Sequence, residues 1–239
     1  MSYLYETHCH DSLCSACAHS APAELVRAYH AAGYAGLVIT NHFIWGSTAV
    51  DRTLPWAEFV QHYIDAYQQA KAAGDALDFD VLFGIEHAYD GKEVLCYGLD
   101  GEFLLSNPDI PQITIREFTD RVHRYGGVVI QAHPYRCCGR EEKHVLPEAD
   151  VDGIEVYNAC NKPEQNLWAL QFAERKNFIL TSGGDIHIDN DPRIGSAGIL
   201  LPHRVRDGQA LSEALKQRSH QYLVNGRPVS NVREQDLVP

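Results

Sequence analysis

The chain has 239 residues, 45% of them hydrophobic, which is enough for one large α/β domain (residues 1–239) and argues against disorder. There is no apolar run long enough to span a bilayer and no secretory signal pattern, and the seven cysteines are scattered and odd in number, so a cytoplasmic protein with reduced thiols is expected. A net charge of −12 argues against wrapping nucleic acid, but not against a small anionic substrate held beside a bound cation.

"YLYETH" reads as a first strand, followed by a helix over "PAELVRAYHAAG", where Pro22 and Gly33 supply start and stop signals. "GLVITNH" is a nearly continuous apolar run, as in a strand buried on both faces. A long helix over "PWAEFVQHYIDAYQQAKAAG" leads to strands "FDVLFGIE" and "EVLCYGL", a helix over "TIREFTDRVHRYGG" and a strand "VVIQAHP". "DGIEVYN", a helix from about Pro163 to Lys176, and "FILTSGGDIH" continue the alternation, with "AGILLP" a further strand and "GQALSEALKQ" a closing helix. Alternating strands and helices with apolar strands predict a parallel sheet, and this many units predict closure into a distorted, TIM-like (β/α)7 barrel.

The C-terminal ends of these strands carry metal-ligand chemistry. The first ends in His8 and His10, which alternation puts on one face with Cys9 on the other. The others supply His42, Glu86, His133, and the pair Asp185 and His187. Any one of them alone is more often a satisfied polar strand end, but together they crowd one rim, where barrel enzymes keep their chemistry. Imidazoles mixed with carboxylates suit Zn, Mn or Fe better than Mg or Ca, and a carboxylate such as Glu86 can bridge two ions.

The order HxH, T-N-H, GIE, AHP, GIEVYN and GD-x-H, from about Glu6 to Gly198, resembles the PHP family, named for polymerase and histidinol phosphatase. The resemblance implies a distorted seven-stranded barrel, two to three divalent metal ions, and phosphoesterase chemistry on a small phosphorylated metabolite, with inorganic phosphate as a ligand. It assigns His8, His10, Glu86 and Asp185 to a first metal site, Glu86 and His133 to a second, and His42 and His187 to a third. Three departures stand out. Leu95 occupies the place of a histidine, which leaves the second site short. Ala16 lies near the place of a further ligand, which leaves the third site short. Asn41 replaces the Asp of a T-D-H motif.

Several residues are candidates to complete this set. His19 lies in the loop after HxH and is a substitute ligand for the third site, while Cys14 and Cys17 form a lone CxxC there, read first as free thiols. Cys137 and Cys138 are read as reduced packing residues, and alternation turns His87 away from the rim. Arg136, Arg193 and Asn158 are candidates to bind substrate, since a guanidinium holds two phosphate oxygens at once. The expected activity is hydrolysis of a small phosphomonoester by a metal-activated water, in the manner of a histidinol-phosphatase-like enzyme. Arg136 would hold the phosphate and, if the third ion is absent, His42, His187 or His19 would protonate the leaving group. The alternatives are hydrolysis of a C–N or ester bond and a non-catalytic metal-binding module. No nucleic-acid or membrane partner is expected, and the oligomeric state is left open.

Overall fold

The computed structural model describes residues 2–137 and 139–238, so Cys138 lies outside the described residues. Every segment read as a helix or strand forms one. The order is β1 (Tyr3–Cys9), α1 (Pro22–Ala31), β2 (Gly36–Ile39), α2 (Trp56–Asp75), β3 (Asp80–Tyr89) and β4 (Lys92–Tyr97). It continues with α3 (Gly101–Leu105), α4 (Ile115–Tyr125), β5 (Val128–Gln131), β6 (Gly153–Asn158), α5 (Pro163–Ala173), β7 (Ile179–Gly183) and β8 (Ala197–Leu201). The chain closes with α6 (Gly208–Lys216), β9 (Gln221–Val224) and β10 (Arg227–Val229). No described helix is long and apolar enough to cross a membrane.

The helices start and stop for local reasons. At α4, Thr114 Oγ1 accepts from Glu117 N–H while the Glu117 carboxylate accepts from Thr114 N–H, and Gly126 ends the helix at φ 93°. At α1, Pro22 opens the first turn and Glu24 Oε2 accepts from Ala21 N–H.

The expectation of an all-parallel, seven-unit barrel is only partly met. A single sheet of ten strands runs β10-β9-β8-β1-β2-β3-β4-β5-β6-β7. β1, β2 and β3 pair in parallel, as do β5, β6 and β7, but β4 runs antiparallel to both its neighbours. The cause is a tight reversal at Asp90 and Gly91, whose φ values of 48° and 71° suit a two-residue hairpin turn. β8, β9 and β10 form an antiparallel extension, turned at Asn225 and Gly226 in the same way.

The sheet curls until β7 returns to β1. Thr7 Oγ1 donates to Ser182 O at 2.9 Å, Asp185 N–H donates to His8 O at 2.7 Å, and Cys9 bridges to Ile186. The free edge of β1 is thereby divided: Tyr3–Tyr5 pair with β8, and the end bearing the histidines meets the segment after β7. Buried Glu6 fixes this junction, its Oε1 accepting from Gly184 N–H at 2.7 Å and its Oε2 from Tyr29 Oη at 2.9 Å. Tyr5, Leu82, Leu95, Val128 and Ile130 fill the curl, and α6 closes its far end with Leu211 and Leu215.

Candidate metal centre

His8 and His10 project from one face of β1, fully buried, while Cys9 turns the other way and donates its Sγ–H to Val38 O. Their ring centroids are 5.0 Å apart. Glu86, near the end of β3 and fully buried, sits among the imidazoles. Its Oε1 accepts from His133 Nε2 at 3.0 Å and lies 3.4 Å from His8 Nε2, while its Oε2 is 2.7 Å from His42 Nδ1 and 3.6 Å from His10 Nε2. Asp185 Oδ1 lies 3.2 Å from His10 Nε2 and 3.5 Å from His8 Nε2. His187 Nδ1 is 3.7 Å from that oxygen.

Four overlapping groups have ligand atoms within 4.8 Å of one another: His8, His10 and Asp185; His8, Glu86 and His133; His42, Glu86 and Glu93; and His10, His42 and His187. The strand-end ligands expected from the sequence are therefore brought together. The backbone is bent to do it, since His133 and Asp185 both adopt positive φ, 26° and 57°. Gly183 and Gly184 permit the closure: a Cβ on the first would lie 2.4 Å from Glu155 Oε1, and on the second 2.7 Å from Glu6 Oε2.

The residues fit divalent cations. His8 Nε2, His10 Nε2, His42 Nδ1 and Glu86 Oε2 are buried without a hydrogen bond among the described residues. The short His42–Glu86 contact lacks the geometry of one. An unpaired buried polar atom costs about 1–3 kcal/mol, so several pointed at a common space mark a cavity made for a cation. Burial opposes charge on Glu86 and Asp185, yet the surrounding imidazoles hold both carboxyls well below the usual range. Burial and the neighbouring His42 push the His10 imidazole down to about 3, so it presents a neutral nitrogen.

Three further residues join the site unannounced by the motifs. Glu93, the second residue of β4, sits at the rim because that strand is reversed. Its carboxylate oxygens lie 3.5 Å from His42 Nδ1 and 3.5 Å from His133 Nε2. Leu95, in the place of the expected histidine, lies one rung deeper in the apolar interior, and Glu93 instead joins His42 and Glu86 in one of the four groups. Glu155, fully buried in β6, lies 3.1 Å from His8 Nδ1 and accepts from His133 N–H, orienting both ligands. Partial burial raises the Cys17 thiol, but the influence of the His187 and His42 imidazoles brings it down to about 6.

The remaining candidates lie outside the four groups. His19 is exposed and in none of the four groups, its backbone N–H bonded to His187 O. Cys14 is buried against α2, donating to His62 O, and His87 turns into the core beside Phe43 and Phe118. Arg136 spans the site floor, donating to Asp185 Oδ2, to Asn158 Oδ1 at 2.6 Å and to Asn161 Oδ1 at 2.8 Å. Asn158 is buried and also donates to Glu155 Oε2. Arg193 is held by Asp191 through a bidentate pair at 2.8 and 2.6 Å. Asn41 keeps an orienting role, with Oδ1 accepting from Asp11 N–H and Ser15 Oγ, while Ser15 Oγ lies 3.3 Å from His10 Nδ1.

A curled α/β sheet thus gathers imidazoles and carboxylates at one rim. Comparison with solved structures makes this specific: the chain has the fold of PHP-like metal-dependent phosphoesterases, in keeping with its motifs. A two-domain Bacteroides vulgatus protein containing a predicted PHP-like metal-dependent phosphoesterase superposes with a TM-score of 0.67 at 16% identity, over 95% of this chain and 66% of that one. A Bifidobacterium adolescentis protein described as a metal-dependent phosphoesterase gives a TM-score of 0.56 at 18% identity, over 89% of this chain and 96% of that one. An amidohydrolase from Chromobacterium violaceum, with bound sulfate and no metal, gives 0.56 at 14% identity, over 77% and 87%. An uncharacterized protein of Methanocaldococcus jannaschii is 31% identical over 121 residues, 46% of this chain; the match spans half that relative's length. No protein-family model matches the chain.

Proposed function

We propose that the protein hydrolyses a small phosphomonoester with the help of two to three divalent ions, of the Zn, Mn or Fe type. The observation that carries this reading is the buried Glu86 carboxylate, within reach of His8, His10, His42 and His133, with unpaired ligand atoms around it. His8, His10, Glu86 and Asp185 would hold one ion, Glu86, His133 and Glu93 a second. Such ions, when bound, activate water and offset charge on phosphoryl oxygens. The chain's own residues do the rest. Arg136 uses part of its donor fork on Asp185, Asn158 and Asn161, which fixes its plane, and the remaining N–H groups are free to hold phosphate. Where no ion occupies the third position, His42 and His187 are placed to hand a proton to the leaving oxygen.

Space for the organic part of the substrate lies alongside. A cavity of about 590 Å³ lined by Trp45, Tyr89, Lys92, Glu93, Gln112 and Thr114 adjoins a small cleft lined by Lys92, Glu93, His133 and Arg136. The shared Lys92 and Glu93 link metal centre and cavity, a size suited to a small metabolite.

The test joins metal analysis to a substrate screen. Purified protein should carry transition metal, lose activity on chelation, and release phosphate from a member of a phosphomonoester panel. His8→Ala combined with Asp185→Ala should strip the first ion; unchanged metal content would refute the assignment. The likeness to an amidohydrolase fold favours a second reading, hydrolysis of a C–N or ester bond. Turnover of an amide or lactone without phosphate release would establish that reading instead.

A further inference from the structure

Trp45 is placed unlike the other two tryptophans. It is 57% exposed, whereas Trp56 and Trp168 are half-buried. The backbone that carries it is nevertheless fixed on both sides. Phe43 N–H donates to Glu86 O at 2.7 Å and Gly46 N–H to Phe43 O at 2.7 Å, so Trp45 sits at the tip of a turn three residues beyond His42. Arg52 clamps that turn, donating from Nε to Ile44 O and from Nη2 to Gly46 O at 2.6 Å. The indole N–H donates to Pro111 O at 3.2 Å, which ties the ring to the segment before α4. The one polar group of the side chain is thus satisfied, and an immobilised aromatic ring loses little conformational freedom when a ligand lies against it.

Trp45 lines the cavity of about 590 Å³, together with the β3–β4 hairpin and the segment before α4, where Tyr89, Pro111 and Ile113 add apolar surface. Lys92 is the one lysine or arginine among the described lining residues, and its Nζ lies 3.3 Å from Asp90 Oδ2. Glu93 beside it is turned to the metal centre, 3.5 Å from His42 Nδ1 and from His133 Nε2. The cavity therefore offers a flat aromatic surface and no unmatched cation for a second anionic group. We infer that Trp45 is a specificity-determining residue: the alcohol part of the substrate carries a flat, uncharged ring that lies against the indole, and no second phosphate or carboxylate. This rests on the phosphomonoester reading above. The phosphate then lies toward Arg136 in the small cleft, which shares Lys92 and Glu93 with the cavity. Sugar phosphates and bisphosphates are disfavoured, since hydroxyls or a second charge would lose water against an apolar wall without gaining partners.

The test is calorimetric binding of non-hydrolysable phosphonates to the metal-loaded protein. 2-Phenylethylphosphonate and 2-cyclohexylethylphosphonate match in length and charge. The cyclohexyl group is the more apolar, so burial alone favours the second, whereas stacking on an indole favours the first. The phenyl compound should bind about three- to tenfold tighter. Trp45→Ala should weaken it by about tenfold or more and erase the preference. Trp45→Phe should keep the preference, and inorganic phosphate should bind the parent and both variants alike. A carboxylate at the para position of the ring should weaken binding. Equal or reversed affinities of the two phosphonates, an unchanged affinity in Trp45→Ala, or a para-carboxylate that tightens binding would overturn this assignment, while phosphate binding leaves the phosphomonoester reading standing. A parent protein that binds neither phosphonate nor inorganic phosphate would overturn both.

Discussion

Replacing Glu155 by Gln tests how the centre holds its ions. The carboxylate has donors on every side: Oε1 lies 3.1 Å from His8 Nδ1, and Oε2 accepts from His133 N–H at 3.0 Å and Asn158 Nδ2 at 2.8 Å. An amide has one acceptor oxygen. If its oxygen faces His133 and Asn158, its amino group faces His8 and forces the proton from Nδ1 to Nε2, the nitrogen that points at Glu86 and Asp185. If it turns the other way, two buried donors meet a third. Leaving a buried donor unmatched costs about 1–3 kcal/mol of folding free energy. Losing the carboxylate behind a ligating imidazole weakens metal binding by about 10–100-fold, or about 1.4–2.8 kcal/mol. Both effects are measurable separately, by chelator competition on the holo-protein and by urea unfolding of the metal-free protein. Glu155→Gln should lower the metal affinity and the urea midpoint together. A variant with the metal affinity and midpoint of the parent would show that Glu155 does not orient His8.

Burial alone pulls the His87 imidazole from 6.5 to about 4, so the unfolded chain takes up this proton more readily than the folded one. The contribution of His87 to stability is therefore complete above about pH 6.5 and is lost as pH falls toward 4, a span worth about 3 kcal/mol. His87→Leu should flatten the pH dependence of urea unfolding of the metal-free protein over that range; parallel curves would count against it. Gly153→Ala would place a Cβ 2.0 Å from Ile179 O, where β6 and β7 pair, and should cost at least about 1–3 kcal/mol. Thermal unfolding measures it, and an unchanged melting temperature would mean that the two strands can separate without loss.

The ligands at strand ends were legible because strand period and an apolar run fix both the face and the rim position of a residue such as His8 or His133. The direction of β4 was missed, because the parallel-sheet expectation passed over a different signal. Asp90–Gly91 between two apolar strands is a hairpin turn, and it sends β4 back toward the rim with Glu93, not Leu95, at the metal end. Asn225–Gly226 encodes the β9–β10 hairpin in the same manner. Glu155 was not legible as a site residue, and the lone CxxC gave no position for Cys17 relative to the ligands. The partners of Glu155 come from β1 and from the end of β5, and the path of the Cys17 loop is set by hydrogen bonds to Ser47 and His187. Contacts of that kind depend on tertiary closure and leave no local periodicity.

The divided edge of β1 bears on how the protein is made. The strand carrying His8 and His10 is made well before the residues that complete its surroundings. Thr7 and Ser182 are 175 residues apart, Glu6 and Gly184 are 178, and Tyr5 and Val205 are 200. During synthesis the first imidazoles can pair with β2 but have neither Asp185 nor a closed wall beside them. Contacts this distant in sequence slow folding and lengthen the time that apolar strands stay uncovered. Closure of the wall around these imidazoles therefore waits for segments up to 200 residues further along the chain, so the later segments set when the earlier ones acquire their surroundings.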